Sequence, residues 1–238
     1  PEWEVKEAHT NGAIMISLVG NVKVARRMNE VDVDIIVAQG TEAGGHTGRI
    51  ATMALLPQVV DAVHPRPVVA AGGIGDGRGL VASLALGAVG VWVGSRFICT
   101  PEAYADARGS ATASEEELKL DKLFKDSWKQ KMIDAVDEDT VISRAFTGKT
   151  ARMLKNKLSE RWESARMPYL PMPLQGILIS ELQAGIRRAG LVDWTANFAG
   201  QITGMVKEIK PAGEIVEEMV EEANEILTKR LPSEVITG

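Results

Sequence analysis

Short apolar runs alternate with amphipathic segments through the first hundred residues of the chain. The apolar runs have the length of buried strands, and the segments that follow them place apolar residues at helical spacing. Strands are predicted at 13–19, 34–38, 67–71 and 90–94, and helices at 21–31, 52–63 and 78–87. Apolar strands that alternate with amphipathic helices are typical of parallel βαβ units. The pattern therefore predicts an α/β fold with about four parallel strands.

The pattern becomes mostly helical after residue 100. A helix over 114–136 begins with Ser114 and has Glu117 three residues later, which is the spacing of a capping box. The stretch 167–176 is rich in proline and is predicted to be a loop, because proline cannot continue a helix. Further helices are predicted at 149–165, 177–189 and 213–231. The chain is thus divided into residues 1–100, with the parallel units, and 101–238, a helical region.

Composition narrows the class of protein. The chain has 238 residues and a formal net charge of −5, which argues against nucleic acid as a partner. Cys99 is the one cysteine, so an internal disulfide is excluded and a reducing, cytoplasmic compartment is expected. No apolar run reaches the roughly 18–20 residues of a membrane span, so no membrane partner is expected. The first residue is Pro1 and the pattern starts in its middle, which suggests that sequence upstream is missing.

The loop 39–48 after the second strand is the strongest functional signal. Four of its residues are glycine, so its backbone can approach a ligand closely. His46 lies in the middle of it, and a histidine can exchange a proton near neutral pH. The catalytic residues of barrel enzymes lie at the carboxyl ends of strands, and His46 follows the predicted strand 34–38 in the same way. Glu42 either orients His46 or binds a backbone amide, and the sequence does not choose between them.

Two further glycine loops follow the next two strands. Residues 72–77 include four glycines, residues 94–96 include Gly94 and the hydroxyl of Ser95, and each stretch precedes a helix, where backbone amides form an anion site. A pair of such loops after the last two strands of a barrel forms a phosphate site. Two other phosphate-binding motifs are excluded. A dinucleotide-binding fingerprint needs its third glycine where this chain has Arg78, and a P-loop needs its first glycine where this chain has Ser143. No His or Cys spacing predicts a metal site.

These residues together resemble one family. The strings Glu42-Ala-Gly-Gly-His46, Ala71-Gly-Gly-Ile74 and Gly94-Ser-Arg-Phe97 are similar to motifs of the nitronate monooxygenases, once called 2-nitropropane dioxygenases. The FMN-dependent enoyl-acyl-carrier-protein reductases share this scaffold and much of the motif. The resemblance implies an FMN-binding (β/α)8 barrel with a helical second domain over the active site. A closed barrel needs eight units, so residues 13–98 correspond to its C-terminal half, and an exposed apolar edge and face are expected.

The resemblance also implies roles for individual residues. His46 would act on substrate protons. The flavin ring and ribityl chain would lie near Gln39, Gly44 and Gly45. The FMN phosphate would bind the two later loops, at Gly72, Gly73, Gly94 and Ser95.

The implied reaction is the oxidation of alkyl nitronates by oxygen to a carbonyl compound and nitrite, with His46 as the base for neutral nitroalkanes. One alternative is an FMN-dependent reductase or dehydrogenase of enoyl thioesters of acyl carrier protein or coenzyme A. Another is an inactive fragment, since half the barrel is missing. The expected partners are the small-molecule substrate, oxygen and the missing N-terminal half-barrel. The oligomeric state stays open, with a homodimer as one option.

Overall fold

The computed structural model describes residues 2–103 and 114–234, and the chain divides into two compact units. The first unit comprises residues 1–43, 47–93 and 213–238, and the second comprises 44–46 and 94–212. The predicted division at residue 100 differs from this arrangement in two places. The C-terminal helix belongs to the first unit, and the short segment around His46 belongs to the second.

The elements are numbered here in chain order. The strands are β1 Ile16–Val19, β2 Ile35–Gln39, β3 Gly45–His46, β4 Val68–Ala71, β5 Gly90–Trp92, β6 Thr140–Ser143 and β7 Ala151–Leu154. The helices are α1 Glu2–Thr10, α2 Val22–Glu30, α3 Thr52–Val63, α4 Gly77–Ala85, α5 Ser95–Ile98, α6 Glu115–Asp134, α7 Lys157–Ser164, α8 Leu174–Leu178, α9 Ser180–Arg188, α10 Ala212–Glu225 and α11 Leu231–Glu234. Short 3₁₀ helices span Val192–Trp194 and Gln201–Met205, and a π-helical turn, Ile226–Arg230, joins α10 to α11.

The first unit contains a parallel sheet of four strands in the order β1-β2-β4-β5. Helices α2, α3 and α4 connect the strands, as the alternating pattern predicts. Asn21 caps α2 by accepting a hydrogen bond from the amide of Val24, and Asp76 caps α4 by accepting one from the amide of Gly79. The four predicted strands and the three connecting helices are therefore confirmed.

The two faces of this sheet differ in burial. Side chains alternate along a strand and registered neighbours share a face, so Ile16 and Leu18 lie on the same face as Val37 of β2 and Trp92 of β5. Ile16, Leu18 and Trp92 are 45%, 46% and 48% exposed. The opposite face is buried, with Val19, Ile36, Ala38, Val68 and Ala70 no more than 2% exposed. Val37, in the middle of the first face, is itself buried, so the apolar surface expected for half of a barrel is exposed at the outer strands β1 and β5 of that face.

The second unit contains a feature that the sequence pattern missed. Strands β6 and β7 form an antiparallel hairpin, and β7 also pairs with β3, giving the order β3-β7-β6. The helix predicted over 149–165 is therefore wrong in its first half, and only α7 is helical. All four residues of β7 are buried, and this burial between two partner strands overrides the helical preference of the Lys- and Arg-rich sequence.

Of two other predictions for this unit, one is confirmed and one is wrong in part. The capping box at Ser114 and Glu117 is confirmed at the start of α6. The prediction that 167–176 holds no helix is wrong at its end, because α8 begins at Leu174, directly after Pro173. Proline is compatible with the residue before a helix or its first turn, where the missing amide hydrogen would have no partner in the helix.

The C-terminal helix packs in the first unit through an apolar stripe and through polar contacts of Glu222 with α4. Ala223 and Ile226 form a buried cluster with Val81 of α4. The amide of Gly77, at the start of α4, donates to the Glu222 carboxylate over 2.7 Å. The pattern of the predicted helix 213–231 places six apolar residues inward, and four of them are buried, namely Ile215, Met219, Ala223 and Ile226. The prediction is wrong for Val220 and Leu227, which are 55% and 49% exposed, because the buried stripe is narrower than the apolar one.

Among the described residues, no helix is both long and apolar enough to cross a membrane.

Substituting Glu222 by alanine tests the polar contact of the C-terminal helix. The change removes a carboxylate that accepts the Gly77 amide at the positive end of α4. We expect Glu222→Ala to lower the free energy of unfolding by about 1 kcal/mol, measured by urea denaturation. Glu221→Ala is the matched control, because Glu221 is the preceding residue of the same helix and is exposed. Equal losses in the two variants would contradict this role for Glu222.

Candidate functional site

In the first unit, the start of the 39–48 loop is held against the end of the neighbouring strand. Gln39 is in register with Ala71, and the Gly40 amide donates to the Ala71 carbonyl over 2.9 Å. Glu42 accepts a hydrogen bond of 2.9 Å from the Thr52 amide at the start of α3. The residue before this helix makes no side-chain hydrogen bond to it, so the Glu42 carboxylate caps the helix instead. The sequence left two roles open for Glu42, and the structure shows that Glu42 binds a backbone amide.

Gly72 and Gly73 follow β4 in the same unit. Both have positive φ, +93° and +77°, a conformation that side chains with a Cβ rarely adopt. A Cβ on Gly72 would lie 2.9 Å from the Ala43 nitrogen, so the protein backbone itself requires glycine there. The Gly73 amide donates no hydrogen bond within the part of the chain that the structure describes. It therefore remains able to bind an acceptor.

In the second unit, Gly44 lies directly against another backbone segment. A Cβ on Gly44 would come within 2.7 Å of the Ala199 carbonyl carbon and 2.8 Å of the Gly200 nitrogen. Gly45 and His46 form β3 and are in register with Arg152 and Ala151 of β7. The hairpin and the 199–200 segment thus fix the position of His46 in this unit.

Gly94 and Ser95 lie at the start of α5, and the 199–200 segment contacts Ser95. The Ser95 hydroxyl accepts a hydrogen bond from the Gly200 amide over 2.7 Å. A Cβ on Gly94 would meet no atom within 4 Å. Over residues 2–103 and 114–234, the Gly94 amide has no hydrogen-bond acceptor. The loop therefore presents an open backbone donor, while its hydroxyl contributes to the packing of the unit.

The imidazole of His46 contacts one side chain of the β6–β7 loop. Its Nε2 lies 2.9 Å from the Thr147 hydroxyl oxygen. That hydroxyl lies 3.1 Å from the Lys149 carbonyl, to which it donates, and accepts the Lys149 amide over 3.3 Å. When the hydroxyl hydrogen is directed to the Lys149 carbonyl, Nε2 of His46 is the donor to Thr147 and Nδ1 carries the lone pair.

The pKa of His46 is lowered from its ordinary value of 6.5, first by partial burial and second by the positive charge of Lys149. Both causes disfavour the imidazolium form. His46 is therefore neutral at pH 7, which is the form that accepts a proton.

The predicted site residues fall into two groups. The first unit holds Gln39 with Gly72 and Gly73 around the ends of β2 and β4. The second unit holds His46, Gly44 and Gly45 on β3, and the 199–200 segment contacts both Gly44 and Ser95. Sequence reasoning missed Thr147 and Lys149 as neighbours of His46. The sequence carries no local signal for this contact, because it forms only when the β6–β7 hairpin brings residue 147 to β3.

Two observations concern the thiol of Cys99 and the arrangement of possible metal ligands. Cys99 is buried, and this burial raises the pKa of its thiol, so the reactive thiolate is disfavoured. No group of three or more His, Cys, Asp or Glu residues in the described ranges has the arrangement of a metal site.

Comparison with known proteins identifies relatives that match most of the sequence. A family model described as nitronate monooxygenase matches residues 1–222. The Mycobacterium tuberculosis protein Rv1533, which carries a monooxygenase name, is 42% identical over 92% of this chain. A probable nitronate monooxygenase of Bacillus subtilis is 36% identical over 88% of it. The chain spans only 55% and 57% of the length of these two relatives.

Solved structures resemble the chain in fold. FabK of Thermotoga maritima has a TM-score of 0.78 at 29% identity, covering 99% of this chain and 68% of FabK. A nitroalkane oxidase of Streptomyces ansochromogenes has a TM-score of 0.77 at 31% identity, covering 95% of this chain and 62% of the oxidase. These neighbours are barrel enzymes, and the likeness confirms the predicted fold class, in which four parallel strands form half of a (β/α)8 barrel and a mostly helical region follows.

Gly44→Ala tests the backbone approach that positions β3. The new Cβ would overlap the backbone at Ala199, and we expect a loss of about 1–3 kcal/mol in the free energy of unfolding. Gly185→Ala is the control, since Gly185 lies in α9 and a Cβ there meets no atom within 4 Å. That change should leave stability unaltered or raise it by up to about 1 kcal/mol. Urea denaturation distinguishes the opposite signs, and equal effects would contradict the packing argument.

Lys149→Gln tests the electrostatic environment of His46. Removing the positive charge lessens the repulsion of the imidazolium, so the pKa of His46 should rise toward 6.5. Part of the lowering remains, because burial is its larger cause. The measurement is an NMR titration of the His46 ring signals. Lys155→Gln serves for comparison, since Lys155 forms an ion pair with Asp139, and an equal shift in both variants would exclude a specific effect of Lys149.

Proposed function

Because the chain belongs to the nitronate monooxygenase family, whose members are flavin-dependent oxidoreductases, we propose that it functions with FMN in the oxidation of alkyl nitronates by oxygen. The products are a carbonyl compound and nitrite. The observation that carries the proposal is His46, held neutral on β3 beside Thr147 and Lys149. The chain spans little more than half of its relatives' length, so the activity is that of the protein which includes these two units.

Each unit contributes residues to the proposed FMN assignment. The Gly73 amide of the first unit and the Gly94 amide of the second make no hydrogen bond within the described ranges, and each is the kind of donor that a phosphate accepts. The phosphate is also assigned to Gly72 and Ser95. The flavin ring and ribityl chain are assigned to Gln39, Gly44 and Gly45. Ser95 Oγ already accepts the Gly200 amide but keeps its own hydrogen for donation. When bound, FMN supplies the electron transfer between the nitronate and oxygen.

His46 takes the part of a base when the substrate is a neutral nitroalkane. A base must be unprotonated at the working pH, and the lowered pKa of His46 meets this condition. When Thr147 accepts the Nε2 hydrogen, the lone pair of the imidazole is on Nδ1, which is then the atom that takes the substrate proton. Thr147 is thus a positioning residue for the base. A nitronate has already lost this proton and needs no base.

The Lys149 side chain favours an anionic substrate at the same place. Its positive charge is close enough to lower the pKa of His46, so it also attracts the negative charge of a nitronate. This charge supports a nitronate over a neutral thioester as the group that lies next to His46.

One spectroscopic assay and two kinetic assays test the proposal against its alternatives. The purified chain is incubated with FMN, desalted and examined for a retained visible flavin band. Oxygen uptake with the nitronate of nitroethane is then compared with nicotinamide consumption with a crotonyl thioester. Oxygen uptake is expected. Nicotinamide consumption alone would instead support the enoyl-thioester alternative, and no turnover of either substrate would support the inactive fragment.

His46→Asn separates the base from the rest of the reaction. We expect kcat/KM for nitroethane to fall by about 10²–10⁴-fold, the usual contribution of general base catalysis, and kcat/KM for its nitronate to fall much less. In the unsubstituted protein, kcat/KM for nitroethane should decline as pH falls through the pKa of His46, below 6.5. His64→Asn is the control, as His64 is an exposed residue of the first unit. An equal loss on both substrates would refute the base role.

A further inference from the structure

A cavity of about 680 Å³ lies within the second unit, next to the residue that holds His46. Its volume is in the range of small-molecule sites. Thr147 and the adjacent Phe146 form part of its wall, and α8, α9 and the 194–198 segment form the remainder. The Thr147 hydroxyl that contacts His46 therefore belongs to a residue at the boundary of this cavity.

The wall of the cavity is mostly apolar. Ile186 and Phe146 are buried members of one hydrophobic cluster, and Trp194, Ala196 and Phe198 pack against that cluster. Ala184 of α9 adds a small side chain. Because the cluster forms the wall, a ligand there would cover apolar surface that is already held in place, and no rearrangement is required.

Three polar side chains of the wall have partners in the protein, and a fourth, Gln183, is exposed. The Ser180 hydroxyl donates to the Ile177 carbonyl and the Thr195 hydroxyl to the Val192 carbonyl, each over 2.8 Å. Arg187 forms an ion pair with Asp121, and its guanidinium lies 5.3 Å from the centre of the Phe124 ring. The charge of Arg187 is thus compensated, and these groups require no hydrogen bond from a ligand. The wall suits an uncharged apolar group better than a second anionic one.

We infer that this cavity binds the carbon chain of the substrate, and that the protein is selective for nitronates with an extended apolar tail. The anionic head group lies at the end of the cavity marked by Thr147, near His46 and Lys149, and the tail covers Ala184, Ile186 and Phe198. This inference rests on the proposed function for the identity of the head group. The cavity itself does not depend on it.

Straight-chain carboxylates from propanoate to nonanoate are suitable probes. A carboxylate is planar and anionic like a nitronate, and it does not react. Trp194 in the wall provides a fluorescence signal for titration, with Trp194→Phe identifying its contribution. Each added methylene buried in an apolar site contributes a factor of roughly 3 to 4 in affinity. The Kd should therefore fall about threefold to fourfold per methylene until the chain fills the cavity.

Ala184→Phe places a ring inside the cavity and should abolish the dependence of Kd on chain length. The matched control is Leu182→Phe, which introduces the same ring on the same helix at a residue that is 48% exposed and outside the cavity wall. Gly176→Leu provides a second filling variant if Ala184→Phe does not fold. A Cβ at Gly176 has room, since its nearest neighbour would be the Phe146 carbonyl oxygen at 3.7 Å.

The FMN-loaded protein is then assayed with nitronates from nitroethane to 1-nitrooctane. We expect kcat/KM to rise with chain length in the unsubstituted protein and in Leu182→Phe, and to stay flat in Ala184→Phe. If the Kd of the carboxylates depends on their length but no nitronate is turned over, the proposed function is refuted and the cavity assignment is supported. A Kd independent of chain length, or the same chain-length dependence in the filling and control variants, would overturn the cavity assignment.

Discussion

The close backbone contact of Gly44 with Ala199 and Gly200 is the constraint on which the candidate site in the second unit depends. A Cβ on Gly44 would come within 2.7 Å of the Ala199 carbonyl carbon, so only glycine permits the approach. The same Gly200 donates its amide to Ser95, and Ala199 is fully buried in a cluster with Cys99 and Met132. One short segment thus links the core of the unit to the strand that carries His46 and to the Gly94–Ser95 turn.

The local features of the first unit could be predicted because the sequence itself encodes them. The parallel strands are short apolar runs, and Asn21 caps the next helix through a contact three residues away. Such signals act over a few residues and do not depend on distant partners. The glycine motifs were equally visible. Gly72 illustrates this, since its positive φ and its contact with Ala43 both require glycine.

The parts that could not be predicted depend on contacts between distant residues. Strand β7 contains Arg152 and lies in a basic stretch that favours helix, yet it pairs with β3 more than a hundred residues earlier. The contact of His46 with Thr147 has the same origin, because it exists only when the hairpin brings position 147 to β3. No local pattern around either residue indicates its partner. The sequence therefore indicates His46 as a candidate base, while the orientation and the pKa of its imidazole depend on contacts with distant residues.

The charge of Lys149 has two opposing consequences for the chemistry at His46. It lowers the pKa of the imidazole, which keeps the base unprotonated but also makes it a weaker proton acceptor. The same charge lowers the energy of an anion beside it. Removal of a proton from a neutral nitroalkane creates both an imidazolium, which Lys149 disfavours, and a nitronate, which it favours. For a nitronate that arrives already ionised, only the favourable effect applies. The electrostatics of this residue pair therefore suit an anionic substrate better than its neutral conjugate acid.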